Sequence, residues 1–250
     1  GSLSLASSSV DVKGGTLSLG GGSVGANGSV EIGGSGTLKL GGNLAVTGTI
    51  NLNDGATTTF AGNKIDVSGG TLKLAGTHSL NSITTNDQTK LQINNSANVS
   101  RTDSGTSTVG SLTYIQSGSS GSPSLSVSNM GLTVSSATQV SGASLIHSNG
   151  ILTFQSAPSL SNSSSLSISN GELVLANGGT VNGSSLQLNA SKFKPTGSVS
   201  VTNGGTFVLN GTSSVVLQGD TTLNQAGSVS WPELDLGGKK LTLGSTVSSF

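Results

Sequence analysis

SPSLSVSNMGLTVSSATQV (122–140), GASLIHSNGILTFQSAPSL (142–160), SSSLSISNGELVLANGGTV (163–181) and GSSLQLNASKFKPTGSVSV (183–201) are four consecutive rows written on one template. Leu125, Leu145, Leu166 and Leu186 recur at spacings of 20, 21 and 20. Leu132, Leu152, Leu173 and Phe193 keep the same step, as do Val140, Leu160, Val181 and Val201. Apolar residues in register at such a period, joined by short polar links, mark a chain wound as stacked repeats. Within a row apolar and polar residues alternate, as in Leu166-Ser167-Ile168, which is the period of a strand.

The columns extend outward from these rows. On the N-terminal side we follow Leu3, Val24, Leu44 and Ile65; Val10, Val30, Ile50 and Leu72; and Leu17, Leu38, Phe60 and Leu80, all at spacings of 20 to 22. The 60 residues from Ile65 to Leu125 leave room for three further rows. On the C-terminal side come Phe207, Val215 and Leu223, then Val229, Leu236 and Leu243. The expectation is an all-β fold: a single-stranded parallel β-helix, or β-solenoid, of about twelve rungs of about 20–22 residues, continuous over 1–250. Rungs stacked at roughly 4.8 Å would make a rod of about 55–60 Å.

Corners are legible too. Asn129, Asn149 and Asn170 recur beside Gly131, Gly150 and Gly171; Asn and Gly tolerate positive φ, and stacked Asn side chains can bond one another. Gly-Thr-apolar triplets at Gly15, Gly36, Gly70 and Gly205 mark other corners. The columns thin over 86–121, where Asp87, Lys90, Arg101, Asp103 and Tyr114 gather, so irregular, loop-bearing rungs are expected there. Pro195 takes an inward position held by Val134, Phe154 and Leu175, which predicts a short or bulged strand because proline cannot donate to a ladder. Trp231-Pro232 is a third departure.

Composition narrows the function. With 39 Gly in 250 residues, 8% charged and 3% aromatic, the chain lacks the large side chains of an ordinary globular core, so order has to come from repetition. Ten basic residues balance ten acidic ones and no basic run exceeds Lys239-Lys240, which makes nucleic acid and anionic membrane poor partners. No window supplies the roughly 20 apolar residues of a membrane helix, so membrane insertion by this segment is not expected. The absence of Cys excludes disulfides and thiolate metal sites. The chain begins Gly1-Ser2 without Met, so we expect a piece of a longer protein. Neither Leu3-Ser4-Leu5 nor Val247-Ser248-Ser249-Phe250 resembles a polar cap, so flanking chain or another molecule is expected over the ends.

Catalytic chemistry finds little support. Glu31 with Asp54, and Asp54 with Asp66, fall out of phase, and no acidic pair shares a column. Glu233 and Asp235 could pair on one strand face, but a solvated edge beside Lys239 and Lys240 is the simpler reading. A calcium-binding Gly-Gly-x-Gly-x-Asp repeat is missing. His147 falls in the inward slot of Val127, Ile168 and Leu188, as a neutral histidine bonded to a backbone carbonyl would, while Ile146 points out. His78 is placed in a corner, without a second ligand at metal spacing. Gly20-Gly21-Gly22 reads as a corner, not a phosphate cradle. Glycosylation-like triplets at Asn27, Asn98 and Asn210 are expected by chance in so Asn- and Ser-rich a chain. No metal or cofactor is expected. Arg101, Asp103 and Tyr114 form the one candidate ligand-binding group, where charges and an aromatic could hold a sugar or protein loop.

The short Gly-rich rows, the Gly-Gly-Thr-Leu starts and the Ser/Asn/Thr corners resemble the β-helical passenger regions of bacterial autotransporter adhesins and of haemagglutinin-like exoproteins of two-partner secretion. That resemblance implies a right-handed parallel β-helix, export across an outer membrane and display at the bacterial cell surface. Its functional implication is a non-catalytic extracellular rod or adhesin segment whose partners are other copies of itself, a surface receptor or a glycan. The alternative is a carbohydrate-binding or carbohydrate-cleaving β-helix. A membrane-inserting toxin segment would need an apolar stretch that the sequence does not offer.

Overall fold

A computed structural model describes residues 1–115, 123–225, 227–228, 234–244 and 247–249. The expectations placed on Val229, Trp231-Pro232, Glu233 and Phe250, and the 116–121 portion of the irregular stretch, lie outside them. Alternating apolar and polar residues produce short strands, most of three to five residues, and every strand pair is parallel. A parallel ladder without helical crossovers is possible because each strand meets the equivalent strand of the next winding, one full turn later in sequence. The fold is a parallel β-solenoid of roughly eleven turns with three faces.

The first face is a 5-stranded sheet running from Leu3–Leu5 to Ile83–Thr85, followed by a 7-stranded sheet from Thr106–Val109 to Leu234–Asp235. The second runs from Ser9–Val12 through Ser29–Ile32 and Thr49–Leu52 to Leu241–Leu243. The third begins with Thr16–Leu19, Thr37–Leu40 and Thr57–Thr59. After an irregular middle it resumes as Ser124–Ser128, Ser144–Ser148, Ser165–Ser169, Ser185–Asn189 and Thr206–Asn210. In that middle, Thr71–Ser79 and Lys90–Ser100 each serve two faces without a break, with a bulge between Leu74 and Gly76. Lys90–Gln92 pair with Ser111–Thr113, while Ala97–Ser100 pair with Leu125–Ser128.

Inward side chains stack like on like. Leu125, Leu145, Leu166, Leu186 and Phe207 follow one another in register, as do Leu132, Leu152, Leu173, Phe193 and Val215. Phe193 and Phe207 meet edge to face with centroids 4.9 Å apart. This narrow seam removes about 25 cal/mol per Å² of apolar surface from water, and it does so with few large residues.

Several predicted neighbours are shifted, and the N-terminal columns do not run straight into the template rows: Leu3, Leu44 and Ile65 lie on the first face, whereas Leu125, 60 residues on, lies on the third. Val10, Val30, Ile50 and Leu72 are in register as expected, but Val24 lies opposite Leu5 and Val46, so Gly22 and not Val24 joins Leu3 to Leu44. Leu38 faces Thr58, not Phe60. Leu223 faces Val199 and leaves Gln225 opposite Val201. Leu234, not the exposed Leu236, follows Val215. Each slip is two residues, which keeps the side chain on the same face of its strand; corner length, not strand pattern, decides the partner.

The corner between the third and first faces shows how. Asn129, Asn149, Asn170, Ala190 and Gly211 all adopt left-handed backbone, with φ of 56, 56, 52, 46 and 63°. The N–H groups of Asn129, Asn149, Asn170 and Ala190 reach the next winding, donating to the Ser148, Ser169, Asn189 and Asn210 carbonyls. Asn149 Nδ2 also donates to Asn129 Oδ1 at 3.2 Å, a rung of the expected asparagine ladder. Gly-Thr-apolar starts fall where predicted, since strands begin at Thr16, Thr37, Thr71 and Thr206. The strand Lys192–Pro195 ends at the buried Pro195, and only Lys192 and Phe193 pair onward.

Candidate functional site

A regular surface of five strands lies on the outer side of the third face from Ser124 to Asn210. Three outward columns cross its five strands. One is Ser124, Ser144, Ser165, Ser185 and Thr206; the next is Ser126, Ile146, Ser167, Gln187 and Val208; the last is Ser128, Ser148, Ser169, Asn189 and Asn210. Parallel pairing in strict register places hydroxyls about 4.8 Å apart along the axis, and strand pleat separates columns by about 6.6 Å. Neighbouring hydroxyls bond, as between Ser144 Oγ and Ser165 Oγ at 2.7 Å, and Asn210 Nδ2 donates to Asn189 Oδ1 at 3.0 Å. None of these fifteen residues is charged. Ile146 and Val208 stand exposed among them.

Charged residues stand on the second face of the N-terminal windings, on the first face, and at Lys39 in the N-terminal part of the third. On the second, Asp11 lies directly opposite Glu31 in the ladder, and Asn51 and Lys73 continue the column. Asp11 approaches Lys13 at 3.5 Å and Asn53 Nδ2 donates to Glu31 Oε1 at 2.8 Å. An acidic pair does share a column, contrary to expectation, because Asp11 and Glu31 follow Val10 and Val30, which are themselves in register. On the first face Glu172 binds Lys194 at 2.6 Å.

Arg101 and Asp103 are brought together and Tyr114 is not. The guanidinium donates from Nε and Nη2 to the two Asp103 oxygens at 2.8 and 2.6 Å, and Asp103 also accepts from the Gly105 N–H at 3.0 Å. These bonds, the arginine's first, hold the Asp103 carboxyl well below the usual carboxylate range. Arg101 Nη1 reaches the Ser107 hydroxyl at 3.3 Å, so the group ties its own loop to the stack. Tyr114 is turned inward, 1% exposed, in register with Val140. Burial raises its phenol far above the ordinary value. The ring belongs to the core and is not part of a surface group with Arg101 and Asp103.

Both histidines are buried and lie on the third face. His147 sits between Val127 and Ile168, with Nε2 donating to the Met130 carbonyl at 3.0 Å and Ile146 pointing out, as expected. Burial lowers its pKa, with the bond to Met130 opposing. Among the described residues Nδ1 has no hydrogen-bond partner. His78 is not in a corner: it is inward on the strand Thr71–Ser79, opposite Val99, bonded through Nε2 to the Ala75 carbonyl at 2.8 Å. Among the described residues no three His, Cys, Asp or Glu side chains gather as a metal site, and no helix is long and apolar enough to cross a membrane.

No protein family, curated protein or solved structure matches the chain. Its surface chemistry therefore carries the functional argument.

Proposed function

We propose that the chain is a non-catalytic extracellular rod, an adhesive segment that acts through the third face by associating with other copies or with polar surfaces at the outside of a bacterial cell. The observation that carries this reading is the charge-free lattice on five successive strands, Ser, Thr, Asn and Gln at every outward position but Ile146 and Val208. Charges and bulges are the usual protection of sheets against one another, and these five strands carry neither on their outer side. A serine hydroxyl both donates and accepts, so one such lattice can meet its own copy without mismatch. The face measures about 20 by 16 Å from strand spacing and rise, well below the roughly 800 Å² per partner of a stable complex. Each contact is weak, and strength comes from many rods held in parallel.

Sedimentation velocity across a concentration series tests the reading, together with capture of the chain on beads that display it. Concentration-dependent association that Ser126→Lys with Ser167→Lys abolishes, and that Gln139→Lys on the second face leaves intact, is the expected result. A chain that stays monomeric and does not adhere to its own beads would refute the self-association, and release of reducing ends from polysaccharide would refute the non-catalytic assignment.

A further inference from the structure

The corner that carries the asparagine ladder changes at Ala190. Between Asn189 and Lys192 the chain uses two residues, as in the three preceding windings; opposite them, between Asn210 and Ser214, it uses three. The ladder thus loses its side chains at Ala190 and Gly211, while the additional residue pushes Thr212 outward as a lip. The result is an open recess of about 530 Å³, bordered by Asn170, Glu172, Ser191, Lys192, Thr212 and Ser214.

Two features of this recess bear on what it can hold. Ala190 holds φ at 46°, a left-handed conformation that disfavours a residue with Cβ and no polar side chain; strain of this kind concentrates where surrounding structure over-determines it. The charges are also unbalanced. One carboxylate, Glu172, lies with two ammonium groups, and it is already bound by Lys194 at 2.6 Å. Lys192, in register with Glu172, is exposed and has no ion-pair partner among the described residues.

We propose that this corner binds a carboxylate-bearing sugar, a uronic-acid unit of an acidic polysaccharide. Lys192 takes the carboxylate. The Asn170 amide and the Thr212 hydroxyl address ring hydroxyls, and Glu172, fixed by Lys194, accepts one more. The site uses hydrogen bonds and charge without a stacking aromatic ring, so it holds one or two sugar units. It is separate from the third-face lattice and stands or falls independently of the rod reading.

The test is an amide-shift titration of the whole chain with a galacturonic acid trisaccharide, compared with its methyl ester and with free acetate. The trisaccharide is expected to move amides at 170–172, 190–192 and 211–214. Loss of the charged contact in the methyl ester, or in Lys192→Ala, should weaken binding by about tenfold or more. Ala190→Asn restores the ladder residue and fills the recess; it should abolish binding while raising the denaturant midpoint, since Asn accepts left-handed backbone. Absence of shifts, equal binding of the methyl ester, the same shifts from acetate at the same concentration, or undiminished binding by Ala190→Asn would each overturn the proposal. Third-face association, measured on the same variants, should not change.

Discussion

The windings from Ser124 to Asn210 and those from Thr71 to Ile115 are built from the same kinds of strand but close their turns differently. In the former, the second and third faces are separate strands joined by turns with left-handed residues, such as Gly142, Asn162 and Gly183. In the latter, single strands of 9 and 11 residues round the corner through a bulge. The first arrangement holds each side chain against equivalents above and below. The second lets one strand, Lys90–Ser100, branch to Ser111–Ile115 and to Ser124–Ser128. A solenoid can therefore change its cross-section without interrupting its seam, provided the bulge absorbs the difference.

Core truncation should separate the two regions most strongly. Leu145 is fully buried between Leu125 and Leu166, and Leu74 is fully buried beside the bulge. Leu→Ala in a core removes about 2–5 kcal/mol, depending on how far the site collapses. Leu145→Ala is expected near the upper end and Leu74→Ala near the lower, read by urea denaturation; equal losses would show that the bulge relaxes no more than a regular rung.

A smaller effect is expected at the corner. Asn149→Ala puts a left-handed residue without polar side chain into the ladder and should lower stability by about 1–2 kcal/mol, whereas Asn149→Gly should lose less because glycine adopts that backbone freely. If both variants lose the same amount, the side-chain bond to Asn129 and not the backbone sets the preference.

Titration of His147 is the gentlest probe at neutral pH. Its folded pKa is depressed by burial, so folded and unfolded chains bind equal protons well above the unfolded value of about 6.5. Below it the unfolded chain is protonated first, and stability is lost as pH falls toward the folded pKa. Hydrogen-exchange protection factors, corrected for the intrinsic pH dependence of amide exchange, should fall on acidification more at Ser124–Ser128 and Ser144–Ser148 than at Thr71–Leu74, and His147→Val should remove the difference. Unchanged acid sensitivity in that variant would assign the effect to other groups.

The sequence by itself determined the winding, the strand parity and much of the corner chemistry: the template rows pair in the register read from their spacing, the asparagines stand in left-handed corners, and His147 points inward. It could not determine which residue of a neighbouring turn each side chain meets wherever a corner gains or loses residues, as at Val24, Phe60 and Leu223, because alternation has a period of two and is satisfied equally by a slip of two. Nor did the local charge cluster around Arg101 and Asp103 reveal that Tyr114 belongs to the seam. The serine lattice and the recess at Ala190 exist only once windings are stacked, since both are made of residues about twenty apart that parallel pairing places side by side.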